Sequence, residues 1–428
     1  VTSPPAPPSL WWDASFRRFW FARVVSTFGS TLTIVALPVL VFRLTGSPLQ
    51  TALLTALGVV PYLLFGLLAG AVADRTDRKR LMVICDLLNA ALLASVPVAA
   101  GLGLLTLPHL YVVAALSATL FVWFDAASFG ALPALVGRER ITEANSLTWS
   151  AETVVAVAGP AVAGVLVAMI GPASALGVDS LSYLVSGVAL ALIPRAFNVA
   201  RAPDSPGTPV ARRLLADIRE GLRFLWAHPL VRPLTLLGFT LSFVGGGVTG
   251  LLVVYAVRGL GLEATDVRLG WLYTAMALGS LAASLLLPRL KRFAPGWVSL
   301  AGFTLHPLAL LGVVLAPGVV WALPALFVWN AVYTIVVING ISLRQRVTPD
   351  GLQSRVNAAG RMLAWGGSPF GALAGGLLAE DWGVRGVYLG AVGVASVAAL
   401  LAWASPLRRS GAQAEPGGEI PAATVPDP

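Results

Sequence analysis

The sequence predicts an all-α membrane protein with twelve transmembrane helices in two six-helix bundles and both termini in the cytoplasm. Three observations lead there. Hydrophobic residues make up 57% of the chain and its mean hydropathy is +0.81, against about 45–50% apolar residues in soluble domains. The excess lies in runs close to the about 20 residues that cross a bilayer. Charged residues, 11% of the total, gather between those runs.

Twelve runs can be drawn: 19–42, 48–72, 81–101, 109–135, 146–170, 173–194, 232–257, 267–288, 297–316, 319–343, 356–379 and 386–405. Several contain Pro and many contain Gly, both commoner in membrane helices than in soluble ones because neighbouring helices re-satisfy the freed backbone. With the N-terminus placed in the cytoplasm, 24 of the 29 Lys and Arg fall on the cytoplasmic side. Only Arg43, Arg258, Arg268 and Arg385 fall outside, and Arg23 lies within the first run. Cations retained inside set this orientation, and an odd number of crossings would scramble it.

The N-terminal segment 1–18, within "VTSPPAPPSLWWDASFRRFW", is Pro-rich, then aromatic and basic. It lacks the basic-then-apolar order of a cleaved signal peptide, and Trp11 and Trp12 are expected at the membrane interface. Residues 19–194 form the first predicted bundle. A linker, 195–231, opens flexibly through Pro209 and then carries Leu214, Leu215, Ile218, Leu222 and Leu225 at helical spacing. That pattern predicts an amphipathic helix on the cytoplasmic surface, strapping two halves together. The second bundle is 232–405, and the tail 406–428 is expected to be disordered.

Six runs, a linker and six runs suggest an internal repeat. A shift of 212 residues carries Asn145 onto Asn357, Gly159 onto Gly371, Gly164 onto Gly376 and Leu166 onto Leu378. The same shift carries Lys79-Arg80 onto Lys291-Arg292.

Several function classes are excluded on composition. A net charge of +9 beside a membrane meets anionic lipid headgroups, so nucleic acid is not an expected partner. Cys85 is the single cysteine, so no internal disulfide forms. The two lysines, Lys79 and Lys291, each precede Arg, so there is no Walker A loop. His109, His228 and His306 are scattered and form no zinc motif. No cofactor, metal site or enzyme active site is expected.

Ionisable groups within apolar runs are the best functional pointers, because hydrocarbon makes them costly. Asp125 lies deepest, near the middle of the fourth run. Asp86 and Glu152 lie about two turns inside theirs, and Asp179 lies near the outer end of the sixth. Buried carboxyls of this kind can bind and release protons as water access changes, so these four are the proton-coupling candidates. Arg23, near the edge of its run, reads as snorkelling to the interface. Trp123, Trp149, Asn330, Tyr333, Asn339 and Trp365 are candidate walls of a substrate cavity, since aromatics with a few polar groups suit amphipathic organic molecules. Gly66 and Gly70, Gly159-Pro160 and Gly164, and Gly367, Gly371 and Gly375 are candidate helix-packing positions.

Residues 70–80, "GAVADRTDRKR", concentrate four cations and two carboxylates between two apolar runs. Cations there hold the loop inside. The stretch also resembles the signature loop of the major facilitator superfamily, Gly-x-Leu-Ala-Asp-Arg-x-Gly-Arg-Lys-Arg. It matches at Gly70, Ala73, Asp74, Arg75, Arg78, Lys79 and Arg80, and departs at Val72 and Asp77. The stretches "VALPVLVFRLTGSP", "EANSL", "GVDSLSYLVSGV" and "SRVNAAGRMLAWGGSPFGALAGGLLAE" resemble the branch of bacterial exporters for siderophores such as enterobactin, and for macrolides. The resemblance spans about residues 16–405.

That resemblance implies two six-helix bundles rocking about a central cavity. It implies a conformational latch of Gly70, Asp74, Arg75, Arg78, Lys79 and Arg80, with Asp74 near Ser354 and Arg355 when the cytoplasmic side is closed. It also implies export of a small amphipathic compound, with proton antiport preferred. The chain departs from related exporters in carrying Gly29-Ser30 for Gly-Asp and Asp125-Ala126-Ala127-Ser128 for Asp-Pro-Ala-Arg. The expected partners are a small-molecule substrate, protons and the lipid bilayer, with the chain monomeric in a bacterial-type inner membrane. An uptake permease of the same fold and a non-transporting membrane sensor are the alternatives.

Overall fold

The computed structural model describes residues 9–73, 75–198, 210–290, 292–349 and 352–408. The side chains at 67, 71, 138, 210–218, 353–355, 357 and 358 fall outside the description. Asp74 and the expected disordered tail beyond Arg408 also lie outside it.

Helix α1 spans Ala14–Thr45, five residues earlier than the apolar run, because Asp13 caps it. The Asp13 carboxylate accepts from the Ser15 amide at 2.8 Å and the Phe16 amide at 3.3 Å, filling donors that a helix start leaves unpaired. Burial opposes the charge on Asp13. The Ser15 amide, the Arg195 guanidinium and the Phe16 amide outweigh that and hold the carboxyl below its usual range. Gly46, at φ 64°, ends the helix.

Helices α2 (Pro48–Ala73), α3 (Arg78–Gly101), α4 (Leu107–Val136), α5 (Ile141–Ile170) and α6 (Pro172–Ala191) follow. Asp77 caps α3 through the Arg80 amide at 3.1 Å. Pro108 and Pro172 sit in the first turns of α4 and α6, where a missing N–H costs nothing. Helix α7 (Val210–Ala227) precedes α8 (Val231–Gly250), which runs on through Leu252–Val254 into a π turn at Tyr255–Gly259. Helices α9 (Arg268–Leu290), α10 (Pro295–Leu315), α11 (Val319–Val347), α12 (Gln353–Trp365) and α13 (Gly367–Ala404) complete the order. The described residues contain no strand.

Among the described residues, eleven helices are long and apolar enough to cross a membrane, one fewer than the twelve predicted runs. The difference lies at the end of the chain, where 359–404 counts as a single stretch. That stretch is interrupted at Gly383, with φ 66° and ψ 163°. Gly171, between α5 and α6, has φ 80° and ψ 158°, and a shift of 212 residues places it on Gly383. The same shift carries 107–136 onto 319–348, against the observed Val319–Val347. The two halves therefore share helix boundaries as well as residues.

Two compact units emerge. The first comprises Val1–Gly46, Leu57–Pro203 and Ala264–Thr274, the second Ser47–Ala56, Asp204–Glu263 and Ala275–Pro428. In the first, α1 packs on α5 and α6, and α3 on α4 and α6. Its core includes Phe16, Phe19, Met82, Cys85, Phe124 and Phe197. In the second, α8 lies along α13, α10 packs on α11 and α13, and α12 packs on α7 and α8. Its core includes Leu241, Leu300, Phe303, Val336 and Leu343. Leu225 of α7 is buried with Val231 and Val356, so the amphipathic helix is bedded on this unit. Leu214, Leu215 and Ile218 lie among the undescribed side chains. Leu64, Phe129, Leu285 and Leu400 are among the exposed apolar side chains.

The small-residue faces divide into used and unused. A methyl group at Gly367 or Gly371 would overlap the backbone of Phe239 or Phe243, and one at Gly375 would press on Leu251. A methyl at Gly159 would overlap the Thr31 side chain, and one at Gly164 would meet the Val267 carbonyl. Among the described residues, only Tyr62 of the same helix comes near Gly66, and nothing comes within 4 Å of a Cβ at Gly70.

Candidate functional site

Arg23 is the centre of a charged group inside the first unit. Its Nη2 donates to Glu152 Oε1 at 2.7 Å and its Nε to the same oxygen at 3.2 Å. Its Nη1 lies 3.9 Å from Asp125 Oδ1, and its guanidinium carbon is 5.7 Å from the Phe124 ring centroid. The three charges come from α1, α4 and α5. Arg23 does not snorkel: its side chain is 16% exposed and inserts between two carboxylates. Asp125 keeps 51% of its side chain exposed, the more open of the two carboxylates. One cation shared by two anions leaves the group one negative charge in excess.

The deeply buried carboxylates are Asp86 and Asp179, at 1% and 0% exposure. Ser186 donates to Asp86 Oδ2 at 2.6 Å, while Asp86 Oδ1 has no hydrogen-bond partner among the described residues. Thr33 donates to Asp179 in a short bond, and Ser182 donates to it at 2.9 Å. Tyr183 and Ser30 share a hydrogen bond at 2.9 Å. Asp179, Ser182, Tyr183 and Ser186 lie three, four and seven residues apart on α6, which places them on one face. That face joins α6 to α1 and α3. The spacing was legible in "DSLSYLVS", and the polar stripe was the signal for it.

The signature loop does local work. Arg78 Nη1 donates to the Gly130 carbonyl at 2.9 Å, and the Arg78 amide donates to Asn198 Oδ1 at 3.1 Å. Lys79 Nζ donates to the Ile193 carbonyl at 2.6 Å, and Asn198 returns a bond to the Thr76 carbonyl at 2.7 Å. Arg78 and Lys79 thus fasten the chain leaving α6 to the start of α3. Arg75 and Arg80 are exposed. Asp74 and the side chains of Ser354 and Arg355 lie outside the described residues.

The substrate-wall candidates separate. Asn330 donates its amide to the Met276 carbonyl at 2.6 Å and to Ser280 at 2.7 Å. Asn339 donates to the Pro295 carbonyl and to Ser299, both at 2.8 Å. These amides tie α11 to α9 and α10, a use that the sequence does not distinguish from cavity lining. Tyr333 belongs to an aromatic cluster with His306 and Trp329, with ring centroids 5.8–6.2 Å apart. Trp123 is partly buried against the first core, 6.4 Å from the Phe65 ring. Trp149 is 69% exposed. Trp365 lines a recess in the second unit.

Long apolar helices, a repeated half and charged groups held inside them define a membrane transporter of the major facilitator type. The chain belongs to the transmembrane secretion effector family, whose model matches residues 3–426. It is 30% identical over 395 residues to the multidrug efflux pump Tap of Mycolicibacterium fortuitum, covering 86% of this chain and 90% of that one. It is 28% identical over 390 residues to the enterobactin exporter EntS of Shigella boydii serotype 18, covering 85% of each. Its fold is similar to that of a bacterial homologue of the human lysosomal transporter Spinster. There the TM-score is 0.74 at 15% identity, covering 96% of this chain and 100% of the other. The family and these relatives are transporters rather than enzymes.

Proposed function

We infer that this chain is a secondary active transporter that exports a small amphipathic organic compound in exchange for protons. Twelve crossings in two six-helix bundles, with both termini cytoplasmic, would place it in a bacterial-type inner membrane. The glycine break at Gly383 and the cation asymmetry support that topology. The names of the relatives, an efflux pump and an exporter, support the outward direction.

The observation that carries the coupling is Arg23 between Glu152 and Asp125. Three charges in an apolar bundle are costly and persist where they serve ion pathways. In the proposed cycle, a proton entering at Asp125, the more exposed carboxyl, neutralises it and leaves Arg23 bound to Glu152 alone. Loss of that proton restores the competition. Such an exchange gives the bundle two charge states, and a transporter can link each to a different access. Asp179 of α6 and Asp86 of α3, which accepts from Ser186 of α6, are further buried carboxyl groups of the same unit. The latch of Gly70, Asp74, Arg75, Arg78, Lys79 and Arg80 is part of the proposal, and Asp74→Asn should cut transport while leaving insertion intact.

The test is substrate efflux from proteoliposomes with and without an imposed pH gradient, using a panel of amphipathic drugs. A gradient should accelerate wild-type efflux, and Asp125→Asn should abolish the acceleration. Efflux that ignores the gradient would overturn the coupling.

A further inference from the structure

The second unit contains a recess that the charged group in the first does not use. It is a recess with an open mouth, and α8, α10, α11 and α12 line it. Its polar lining includes Ser242, Ser299, Arg344 and Arg361, and Trp365 and Phe303 supply aromatic wall. No carboxylate is among the described residues lining it.

Arg344 is the unusual member. It is 6% exposed, and its Nε is buried with no hydrogen-bond partner among the described residues. The guanidinium lies against bare backbone at Gly360, where a methyl group would overlap it. Arg361 is close enough that its positive charge acts on Arg344. Arginines at helix ends ordinarily reach water or pair with an acid. Arg344 lines the recess together with Arg361. Arg361 is held 5.3 Å over the Trp365 ring, a cation–π contact that fixes the second charge beside an apolar surface.

We propose that this recess binds the acidic group, carboxylate or phosphate, of an amphipathic molecule, with Arg344 as its principal contact. A planar guanidinium fork matches either oxyanion. The Ser242 and Ser299 hydroxyls line the same space, and the aromatic wall takes the apolar part. A transported organic anion and an anionic lipid headgroup offer the same chemistry. The proposal rests on the recess and is tested by binding, so a failed efflux assay and a failed binding assay are separate results.

The experiment uses the full chain in phosphatidylcholine nanodiscs and compares radiolabelled 2-naphthoate with neutral 2-naphthol. Naphthoate should bind saturably and more tightly than naphthol. Arg344→Gln should weaken it about tenfold or more, the scale of one charge-assisted hydrogen bond, and Arg344→Lys by less. Gly340→Leu keeps both arginines and fills the recess. A Cβ at Gly340 meets nothing within 4 Å, so this variant should retain its thermal transition and lose naphthoate. Including phosphatidylglycerol separates the two sources: displacement of naphthoate identifies a lipid headgroup as the occupant, and undiminished binding identifies a free organic anion. Equal binding of naphthoate and naphthol would overturn the proposal. So would unchanged naphthoate binding by folded Gly340→Leu and Arg344→Gln.

Discussion

At the scale of single residues, the Arg23–Glu152 pair shows where sequence reasoning ends. Each charge was visible in an apolar run, but their meeting across 129 positions depends on how α1 packs on α5. Periodicity carries no record of that packing. Asp13 adds to the effect, because its cap begins α1 earlier and leaves Arg23 well inside the helix. Glu152→Gln removes the charge from the 2.7 Å contact and leaves Asp125, at 3.9 Å, as the anion beside Arg23. A loss of about 1–3 kcal/mol is expected, read as a lowered thermal transition in detergent. Arg23→Gln/Glu152→Gln/Asp125→Asn should recover part of it, because none of the three charges is then left unpaired.

His228 makes a second argument at this scale. Its Nδ1 accepts from the Leu230 and Val231 amides at 3.2 and 3.3 Å, which requires neutral imidazole. Burial lowers its pKa from the ordinary 6.5. The cap therefore stabilises fully above pH about 6.5 and is lost as acidification proceeds toward the lowered folded value. The thermal transition should fall below that pH in wild type and fall less in His228→Asn, whose side-chain oxygen caps without titrating.

At the scale of elements, glycine spacing was legible and its use was not. Gly66 and Gly70 repeat the four-residue interval of Gly367, Gly371 and Gly375, yet among the described residues only the second set meets another helix. The obstacle at Gly371 is the Phe243 backbone, which cannot rotate away as a side chain can. Gly371→Leu should separate α13 from α8 and cost about 1–3 kcal/mol or more. Gly393→Ala, with nothing within 4 Å, should stabilise by a few tenths to about 1 kcal/mol. A pair of thermal unfolding curves checks both. The amphipathic pattern of α7 was similarly plain, but which neighbour its Leu225 meets was not.

At the scale of the whole molecule, the repeat carried most of what could be read. A shift of 212 residues found matching asparagines and glycines, and it aligns Gly171 with Gly383. A positive φ without Cβ strain favours glycine at such points. The recess of the second unit was not readable. Arg344 and Arg361 counted among the cytoplasmic cations of the topology argument, and nothing in their spacing reveals that one of them is buried. The proposed topology has a direct measurement. Thr76→Cys and Arg408→Cys should react with a membrane-impermeant maleimide only in inside-out vesicles. Leu104→Cys and Glu263→Cys should react in intact cells. The reverse pattern would invert the orientation.

Cys85 sits in the first core at 2% exposure, and the chain has no other thiol. An oxidant reaching the membrane finds no second thiol to bridge and almost no surface on the first, since oxidation follows exposure. Thiol–disulfide exchange should therefore pass this chain by.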